Sequence, residues 1–261
     1  MPEQGGGQQA GGRQATWDQF GPEYDWPPYV GAPRSYVIAS SGRSGSHFLA
    51  HLLFQTGQLG SPLEYLHPRH FARWQSLTGK TARADVLQAV RARRTGPTGW
   101  FGIKAHWSQF ASVAQEPDLV RDLNLSHYIR LTRQDTVAQA VSMVIAKQSG
   151  AWISYHDAVA APRYDFAAIE QDYGALQKED AAWAQYFAQH SIRPFNLTYE
   201  QLNRSPETCL AEIGAFLGME ALVVGGAFAP SAQTGPQRQA TALNAQWCEQ
   251  FRQEAAQRGI L

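Results

Sequence analysis

The fold is indicated by the stretch Tyr36-Val-Ile-Ala-Ser-Ser-Gly-Arg-Ser-Gly-Ser-His47, which continues directly into Phe48-Leu-Ala-His-Leu-Leu-Phe54. A short apolar run rich in strand formers ends in a loop of serine and glycine, and an apolar helical pattern follows. This strand–loop–helix order directs backbone N–H groups and the positive end of a helix toward one spot, where an anion binds readily. Arg43 adds a forked positive charge that suits phosphate or sulfate oxygens. The sequence therefore predicts an anion site in this loop.

The loop is not a Walker motif, because the pattern G-x-x-x-x-G-K-[ST] is absent. No lysine follows Gly45, and Ser46 is followed by His47. We therefore expect the loop to hold an anion other than the Mg-bound triphosphate of an NTPase. The alternative interpretation is that serine and glycine only cap a helix over residues 46–57.

Composition excludes several classes of partner. Twenty-two basic residues balance 22 acidic ones, so no global field favours nucleic acid or an acidic membrane. Cys209 and Cys248 lie in helical, half-apolar patterns typical of buried free thiols, and nothing indicates a disulfide framework or a zinc cluster. No apolar run reaches the roughly 20 residues that span a bilayer, and no secretory signal pattern is visible. We expect a soluble, cytoplasmic protein without a membrane span.

The chain divides into three parts. Residues 1–15 are rich in glycine and glutamine and are predicted to be a disordered tail. Residues 16–34 form an aromatic and proline-rich arm, which we expect to lie on the domain or on a neighbouring subunit. Residues 35–261 form the folded domain.

In that domain strand patterns alternate with helical ones. Strands are predicted at 35–40, 100–105, 126–132 and 193–199, and helical stripes at 134–148, 165–189, 202–217 and from 243 onward. Strands separated by helices imply an α/β fold with a P-loop-like parallel sheet covered by helices on both faces. In such sheets the ligand lies beyond the carboxyl ends of the strands. The residues after Ser40, Lys104 and Arg130 should therefore surround one crevice.

A second anion-binding feature lies where the third strand turns into a helix. Arg133 stands at the turn and Ser142 about two helical turns inside, so both could contact one phosphate that lies along the helix. The alternative is that Arg133 pairs with Asp135 and Ser142 only packs.

Three further side chains are candidates for catalysis. Glu64 lies in an apolar, turn-rich segment beside the anion loop, a setting that can raise the pKa of a carboxyl group and make it a base. Lys104 ends a strand at the crevice and could stabilise charge on a transferred group. His106 follows it, either as a catalytic group or as a packed or helix-capping imidazole.

These motifs occur in an order that resembles one family, the bacterial trehalose 2-sulfotransferases. The matching motifs are Arg43-Ser-Gly-Ser46, Pro62-Leu-Glu64-Tyr, Phe101-Gly-Ile-Lys104, Arg133-x-Asp135-x-x-x-Gln139-Ala-Val-Ser142, Tyr199-Glu-x-Leu202, Arg238-Gln-Ala and Trp247. Each motif alone is weak, but the ordered set covers residues 35 to about 255.

The resemblance implies a sulfotransferase fold, an enzyme that uses 3′-phosphoadenosine 5′-phosphosulfate (PAPS) as co-substrate, no metal, and a homodimer. It implies that the loop residues hold the 5′-phosphosulfate, and these are Ser41, Gly42, Arg43, Ser44, Gly45, Ser46 and His47. By the same resemblance Arg133 and Ser142 would hold the 3′-phosphate, and Gln237 and Arg238 would close on the nucleotide. Glu64 matches the family's general base.

Two departures leave questions open. His47 stands where the family usually has a small hydroxyl residue, which removes one contact and adds an imidazole. The run Lys104-Ala-His106 is also similar to the K-x-H of cytosolic sulfotransferases, in which the histidine is the base. The base is therefore Glu64 or His106, and we favour Glu64.

The acceptor is implied only in outline, as a small molecule or glycan hydroxyl. Its pocket should be lined by segments 64–100 and 152–164, where Trp74, Trp152 and Tyr155 could stack on a sugar. Two other functions share the strand–loop–helix start: a kinase-like P-loop enzyme that needs ATP and Mg²⁺, and a non-catalytic module that binds adenosine bisphosphate.

Overall fold

The computed structural model describes residues 18–152, 160–225 and 242–261. Its centre is a four-stranded sheet in the order β2-β1-β3-β4, and every neighbouring pair is parallel. The strands are β1 (Arg34–Ser40), β2 (Trp100–His106), β3 (Leu125–Thr132) and β4 (Phe195–Thr198). All four strand predictions are confirmed, and each predicted strand end lies within two residues of the observed end.

The sheet is buried on both faces, as a parallel sheet requires. In β1, Val37 and Ala39 face one apolar cluster, and Tyr36 and Ile38 face another. Both clusters are completed by helices, which confirms the prediction of an α/β fold with helices on both faces.

Ten helices surround the sheet in the described part of the chain. They are α1 (Ser46–Gln55), α2 (Pro68–Thr78), α3 (Arg83–Arg94), α4 (Trp107–Ala114), α5 (Pro117–Asp122), α6 (Thr136–Ser149), α7 (Phe166–Gln189), α8 (Tyr199–Arg204), α9 (Pro206–Phe216) and α10 (Ala242–Gln257). None of these helices is long and apolar enough to cross a membrane.

The helical pattern predicted across 202–217 is divided into α8 and α9. The break falls at Ser205 and Pro206, because proline lacks an N–H and disfavours helical geometry in the residue before it. Helices α2 to α5 were not predicted individually. Helices α4 and α5 have only eight and six residues, and α2 and α3 carry many polar residues, with one buried residue in α2 and four in α3.

A third apolar cluster forms from α6, α7 and α10, and it builds one wall of the site described below. Cys248 is buried in this cluster, and Cys209 is buried beneath the sheet. Both thiols are free, as the sequence predicted.

The described part of the N-terminal arm lies on its own domain. Tyr24 is buried, and its ring centroid is 4.9 Å from that of Phe54 in α1. Asp25 forms ion pairs with Arg93 and Arg94 at the end of α3. The predicted tail over residues 1–15 lies outside the described residues.

Candidate active site

All four parallel strands end at one edge of the sheet, and the side chains that follow them meet in one cleft. The cleft encloses about 1450 Å³. Its lining includes most of the predicted site residues, namely Gly42, Arg43, Gly45, Ser46, His47, Glu64, Lys104, His106, Arg133 and Ser142. The tertiary structure thus gathers residues that are up to 100 positions apart.

The loop between β1 and α1 has a backbone suited to anions. Arg43 and Gly45 both adopt positive φ, 60° and 86°, on either side of Ser44, which does not. Alternation of this kind forms a concave nest of N–H groups, and it lies here at the N-terminus of α1. The hydroxyl of Ser44 is buried and has no hydrogen-bond partner among the described residues. Gly42, Arg43, Gly45, Ser46 and His47 of the loop line the cleft, whereas Ser41 and Ser44 are buried and are not among its lining.

Position 45 requires a glycine for two reasons, the positive φ and a close approach of the ring of Tyr199. A Cβ at this position would lie 2.5 Å from Cδ2 of Tyr199, the first residue after β4. The loop is also fixed from α6, because Nε2 of Gln139 donates to Oγ of Ser41 at 2.9 Å and to the carbonyl of Gly42 at 2.7 Å. The loop is thus held rigidly from two sides.

Two arginines meet beside this loop. Nη1 of Arg133 donates to the carbonyl of Arg43 at 3.3 Å, and Nε of Arg43 donates to Oγ of Ser142 at 2.9 Å. Burial, followed by the charge of Arg133, lowers the pKa of Arg43 to about 10. Nε of Arg133 is buried without a hydrogen-bond partner in the described part of the chain. Two adjacent guanidinium groups, one with an unused donor, favour an anion between them.

Asp135 is not the partner of Arg133, so that alternative interpretation was wrong. Its carboxylate accepts a hydrogen bond from the backbone N–H of Ala138 at 2.9 Å and thereby caps α6. It also pairs with Arg252 of α10 at 2.8 Å. Arg133 instead lies over the ring of Tyr199, with Cζ 5.0 Å from the ring centroid.

Glu64 is held between two elements of the β2 region. Its Oε1 pairs with Nζ of Lys104, and its Oε2 accepts a hydrogen bond from Nε2 of Gln109 at 3.1 Å. The carboxylate is 20% exposed and Lys104 only 6%. Glu64 therefore lies at the surface of the cleft and is ion-paired with the buried Lys104.

These partners shift the pKa of Glu64 in the direction opposite to the one expected from the sequence. Burial alone raises it, but the charge of Lys104 and the hydrogen bonds from Lys104 and Gln109 outweigh burial and hold it below its usual range. The expectation of a raised pKa was wrong, because the cation is adjacent to the carboxylate in the fold. Glu64 is consequently ionised at neutral pH.

His106 ends β2 and is the N-cap residue of α4. Its Nδ1 lies 3.2 Å from Oγ of Ser40, and its Nε2 lies 3.9 Å from Oε1 of Glu64. Burial lowers the pKa of His106 and outweighs the opposing charge of Glu64. The structure shows the capping role and places His106 in the lining of the cleft, and a catalytic role of His106 stays a prediction.

His47 is also neutral at physiological pH. Burial, followed by the charge of Lys104, lowers the pKa of His47 to about 3. Its imidazole therefore brings a neutral donor and acceptor to the cleft instead of a charge.

The outer cleft is lined by residues that the sequence did not single out. They are Gln19 of the arm, His67 and His70 of the segment at α2, Ser108, Lys147, Asp172 and Glu179. Trp152 lines the cleft as expected, with 44% of its surface exposed. Trp74 does not, because it is 1% exposed and packs among Phe20 and Tyr65 in the core. Trp74 cannot stack on an acceptor.

Some predicted residues lie outside the described part of the chain. These are Gln237, Arg238 and Tyr155. Within the described ranges, no group of three or more His, Cys, Asp or Glu side chains could hold a metal ion.

Gln109 and Gln139 are the residues of the inner site that sequence reasoning missed as functional. Gln139 was present in a quoted motif, but its spacing gave no hint that it would hold the loop on β1. Gln109 gave no signal, because its contact with Glu64 joins positions 45 apart.

Comparisons with known proteins agree with this geometry. The family model described as Stf0 sulphotransferase matches residues 35–254. Trehalose 2-sulfotransferase of Mycobacterium tuberculosis (strain ATCC 35801 / TMC 107 / Erdman) is 27% identical and covers 88% of this chain and 98% of that protein. Trehalose 2-sulfotransferase of Mycolicibacterium smegmatis (strain ATCC 700084 / mc(2)155) is 28% identical, with 87% and 98% covered.

A solved sulfotransferase domain from the curacin biosynthetic pathway is 16% identical, covers 83% of each chain and has a TM-score of 0.46. An overlap of this size adds nothing to the assignment, which depends on the family model. That model spans both anion-binding motifs, Glu64, Lys104 and His106. The chain therefore belongs to the Stf0 sulphotransferase family and is a sulfotransferase.

Proposed function

We propose that this sulfotransferase takes its sulfuryl group from PAPS and transfers it to a hydroxyl of a carbohydrate or glycolipid precursor, with Glu64 as general base. One observation carries the proposal. The ion pair of Glu64 and Lys104 lines the same cleft as the anion loop, so a base, a cation and an anion site are neighbours.

The cleft has the donors that PAPS needs. Residues Ser41 to His47 would hold the 5′-phosphosulfate through the nest of N–H groups and the hydroxyl of Ser44. Arg133, with its unused Nε, and Ser142 would hold the 3′-phosphate. At about 1450 Å³ the cleft exceeds the usual volume for one small ligand, which is about 300–1,000 Å³. Gln237 and Arg238 stay predicted donors to the nucleotide.

When bound, PAPS supplies the sulfuryl group: its S–O bond to the 5′-phosphate breaks while a new S–O bond to the acceptor oxygen forms. Arg43 and Lys104 neutralise the charge that develops on the leaving phosphate side. Glu64 takes the proton of the acceptor hydroxyl; it is ionised at neutral pH, as this step requires, although its lowered pKa makes it a weaker base than a free carboxylate. Fixed cations supply the charge stabilisation, so we expect no metal requirement.

We favour Glu64 over His106 as base because of their contacts. The carboxylate of Glu64 is held by Lys104 and Gln109, and Glu64 lines the cleft. His106 caps α4 and contacts Ser40, which gives its imidazole a structural task.

A carbohydrate acceptor is supported by the two relatives whose names specify trehalose. The outer cleft suits such a ligand, since Gln19, His67 and His70 offer hydrogen-bonding groups and Trp152 an exposed ring. The homodimer and the cytoplasmic location stay predictions.

The test is a transfer assay with sulfur-labelled PAPS and a panel of glycans, glycolipid precursors and small metabolites. We expect label in a carbohydrate product, with or without EDTA. Label only in non-carbohydrate products would overturn the acceptor assignment. Binding of adenosine 3′,5′-bisphosphate without any labelled product would indicate that the acceptor class is wrong or that the donor is different, and substitution of adenosine 5′-phosphosulfate separates those two cases.

A further inference from the structure

The segment that carries Glu64 has almost no regular structure of its own. Glu64 lies between α1 and α2, and only an isolated bridge joins its neighbour Leu63 to Ile103 of β2. A general base must be held within hydrogen-bond reach of the proton that it removes, and an error of about 1 Å can cost about a hundredfold in rate. The position of Glu64 therefore depends on contacts from other elements.

The N-terminal arm makes such contacts three residues before Glu64. Ser61 is fully buried, and its Oγ donates to the carbonyl of Tyr24 at 2.6 Å. The same oxygen accepts a hydrogen bond from the indole Nε1 of Trp26 at 3.0 Å. Ser61 thus uses both its donor and one acceptor on the arm.

The position of Ser61 in turn restricts the backbone around Glu64. The hydroxyl of Tyr65, the residue after Glu64, donates to the carbonyl of Ser61, so the turn is closed around the base. The ring of Tyr65 stacks on Phe101 of β2 with centroids 5.5 Å apart. Glu64 is therefore flanked on both sides by fixed residues.

The arm itself is anchored at a buried charge. Arg94 is fully buried, its Nε lies 3.0 Å from Oδ1 of Asp25, and its Nη2 donates to the carbonyl of Gly21. The backbone N–H of Trp26 donates to the carbonyl of Arg93 at 2.8 Å. Because a buried guanidinium needs its partners, the arm has little freedom to shift along α3.

We infer that Trp26 and Ser61 are positioning residues of the sulfuryl transfer: the arm fixes the base-bearing turn through the Trp26–Ser61 hydrogen bond. This inference rests on the proposed role of Glu64. The arm is thus part of the catalytic apparatus, although neither Trp26 nor Ser61 touches the reacting atoms.

The test uses Trp26→Phe and Ser61→Ala in the full chain. Trp26→Phe keeps an aromatic ring near Phe54 but removes the donor together with part of the volume of the indole, and Ser61→Ala removes the hydroxyl. We expect kcat to fall by about tenfold to a hundredfold in each, and no further in the double variant. The affinity for adenosine 3′,5′-bisphosphate should stay within about twofold of the parent.

Trp100→Phe is the matched control. It removes an indole that is fully buried, whereas Trp26 is partly buried; the Nε1 of Trp100 has no hydrogen-bond partner in the described chain, and its ring packs on the opposite face of the sheet. We expect its kcat to stay near that of the parent. Tm measured for all variants separates a loss of folding from a loss of rate.

Comparison with Glu64→Gln separates the proposed role of Glu64 as base from the positioning role of Trp26 and Ser61. If Glu64→Gln is inactive and Trp26→Phe and Ser61→Ala turn over like the parent, the positioning role is wrong and the base assignment stands. If Glu64→Gln keeps full turnover, the base assignment fails and the positioning role fails with it. Equal losses of kcat and of nucleotide affinity would also overturn positioning, since they indicate a distorted donor site.

Discussion

Glu64 and Lys104 form an ion pair across 40 positions of sequence, between a turn after α1 and the end of β2. In the proposed mechanism the pair supplies a base for the acceptor and a cation for the donor. It also explains why a carboxylate in an apolar setting stays ionised. The first two predictions test this pair.

Glu64→Gln should keep the affinity for adenosine 3′,5′-bisphosphate and lose turnover by about 100- to 10,000-fold, because the amide cannot accept the acceptor's proton. Steady-state rates and calorimetric titration of the nucleotide measure the two effects. Unchanged turnover would transfer the role of base to His106.

The acid limb of the pH–rate profile should depend on Lys104. In the parent the pKa of Glu64 lies below its usual range, so the base stays ionised until the solution is strongly acid. In Lys104→Met the nearest positive charge is gone, so burial raises the pKa of Glu64. The acid limb of the kcat/KM profile that the variant retains therefore moves to higher pH. Lys147→Met, which removes a cation paired with Asp172, is the control. An acid limb at the same pH in parent and Lys104→Met would contradict the electrostatic account.

His106→Asn should keep the helix cap and remove the imidazole. Asparagine is a good N-cap residue, so Tm should change little. If Glu64 is the base, the loss of kcat should be smaller than about 100-fold, the lower range for removal of a general base. A loss as large as that of Glu64→Gln, at an unchanged Tm, would favour His106.

Arg133→Ala should weaken adenosine 3′,5′-bisphosphate selectively. Loss of a hydrogen bond to a charged group costs about 1.5–3 kcal/mol, which is about a tenfold to a hundredfold loss of affinity. AMP, which lacks the 3′-phosphate, should bind parent and variant alike. Arg121→Ala removes an exposed arginine paired with Asp118 and serves as the control. Equal losses for both nucleotides would place Arg133 elsewhere on the ligand.

Gly45→Ala should destabilise the fold and the anion loop together. The left-handed backbone at φ 86° costs an L-residue about 1–2 kcal/mol, and the new Cβ would press on Tyr199. Gly174→Ala is the matched control, because Gly174 lies inside α7 with open space at its Cβ. It should stabilise by about 0.5–1 kcal/mol. Urea unfolding of both variants gives the comparison, and a Gly45→Ala protein as stable as the parent would refute the strain argument.

The sequence predicted β1 and β2 from nearly continuous apolar runs bounded by turns, and β3 and β4 from runs that mix apolar with polar residues. Helices α2 to α5 were harder, because α4 and α5 are short and α2 and α3 carry many polar residues. The break between α8 and α9 could have been predicted from Pro206 alone.

Residue types and the order of elements were enough to predict which groups meet in the cleft: an anion loop with Arg43, a second cation at Arg133, and the set Glu64, Lys104 and His106. This was possible because parallel strands bring their carboxyl ends to one edge. How those groups influence one another could be read from the folded chain alone. The pKa of Glu64, the partner of Asp135, the burial of Trp74 and the contact of the arm with Ser61 all depend on distances between segments far apart in the chain. Electrostatic energies change steeply over a few ångströms, and sequence spacing does not specify such distances.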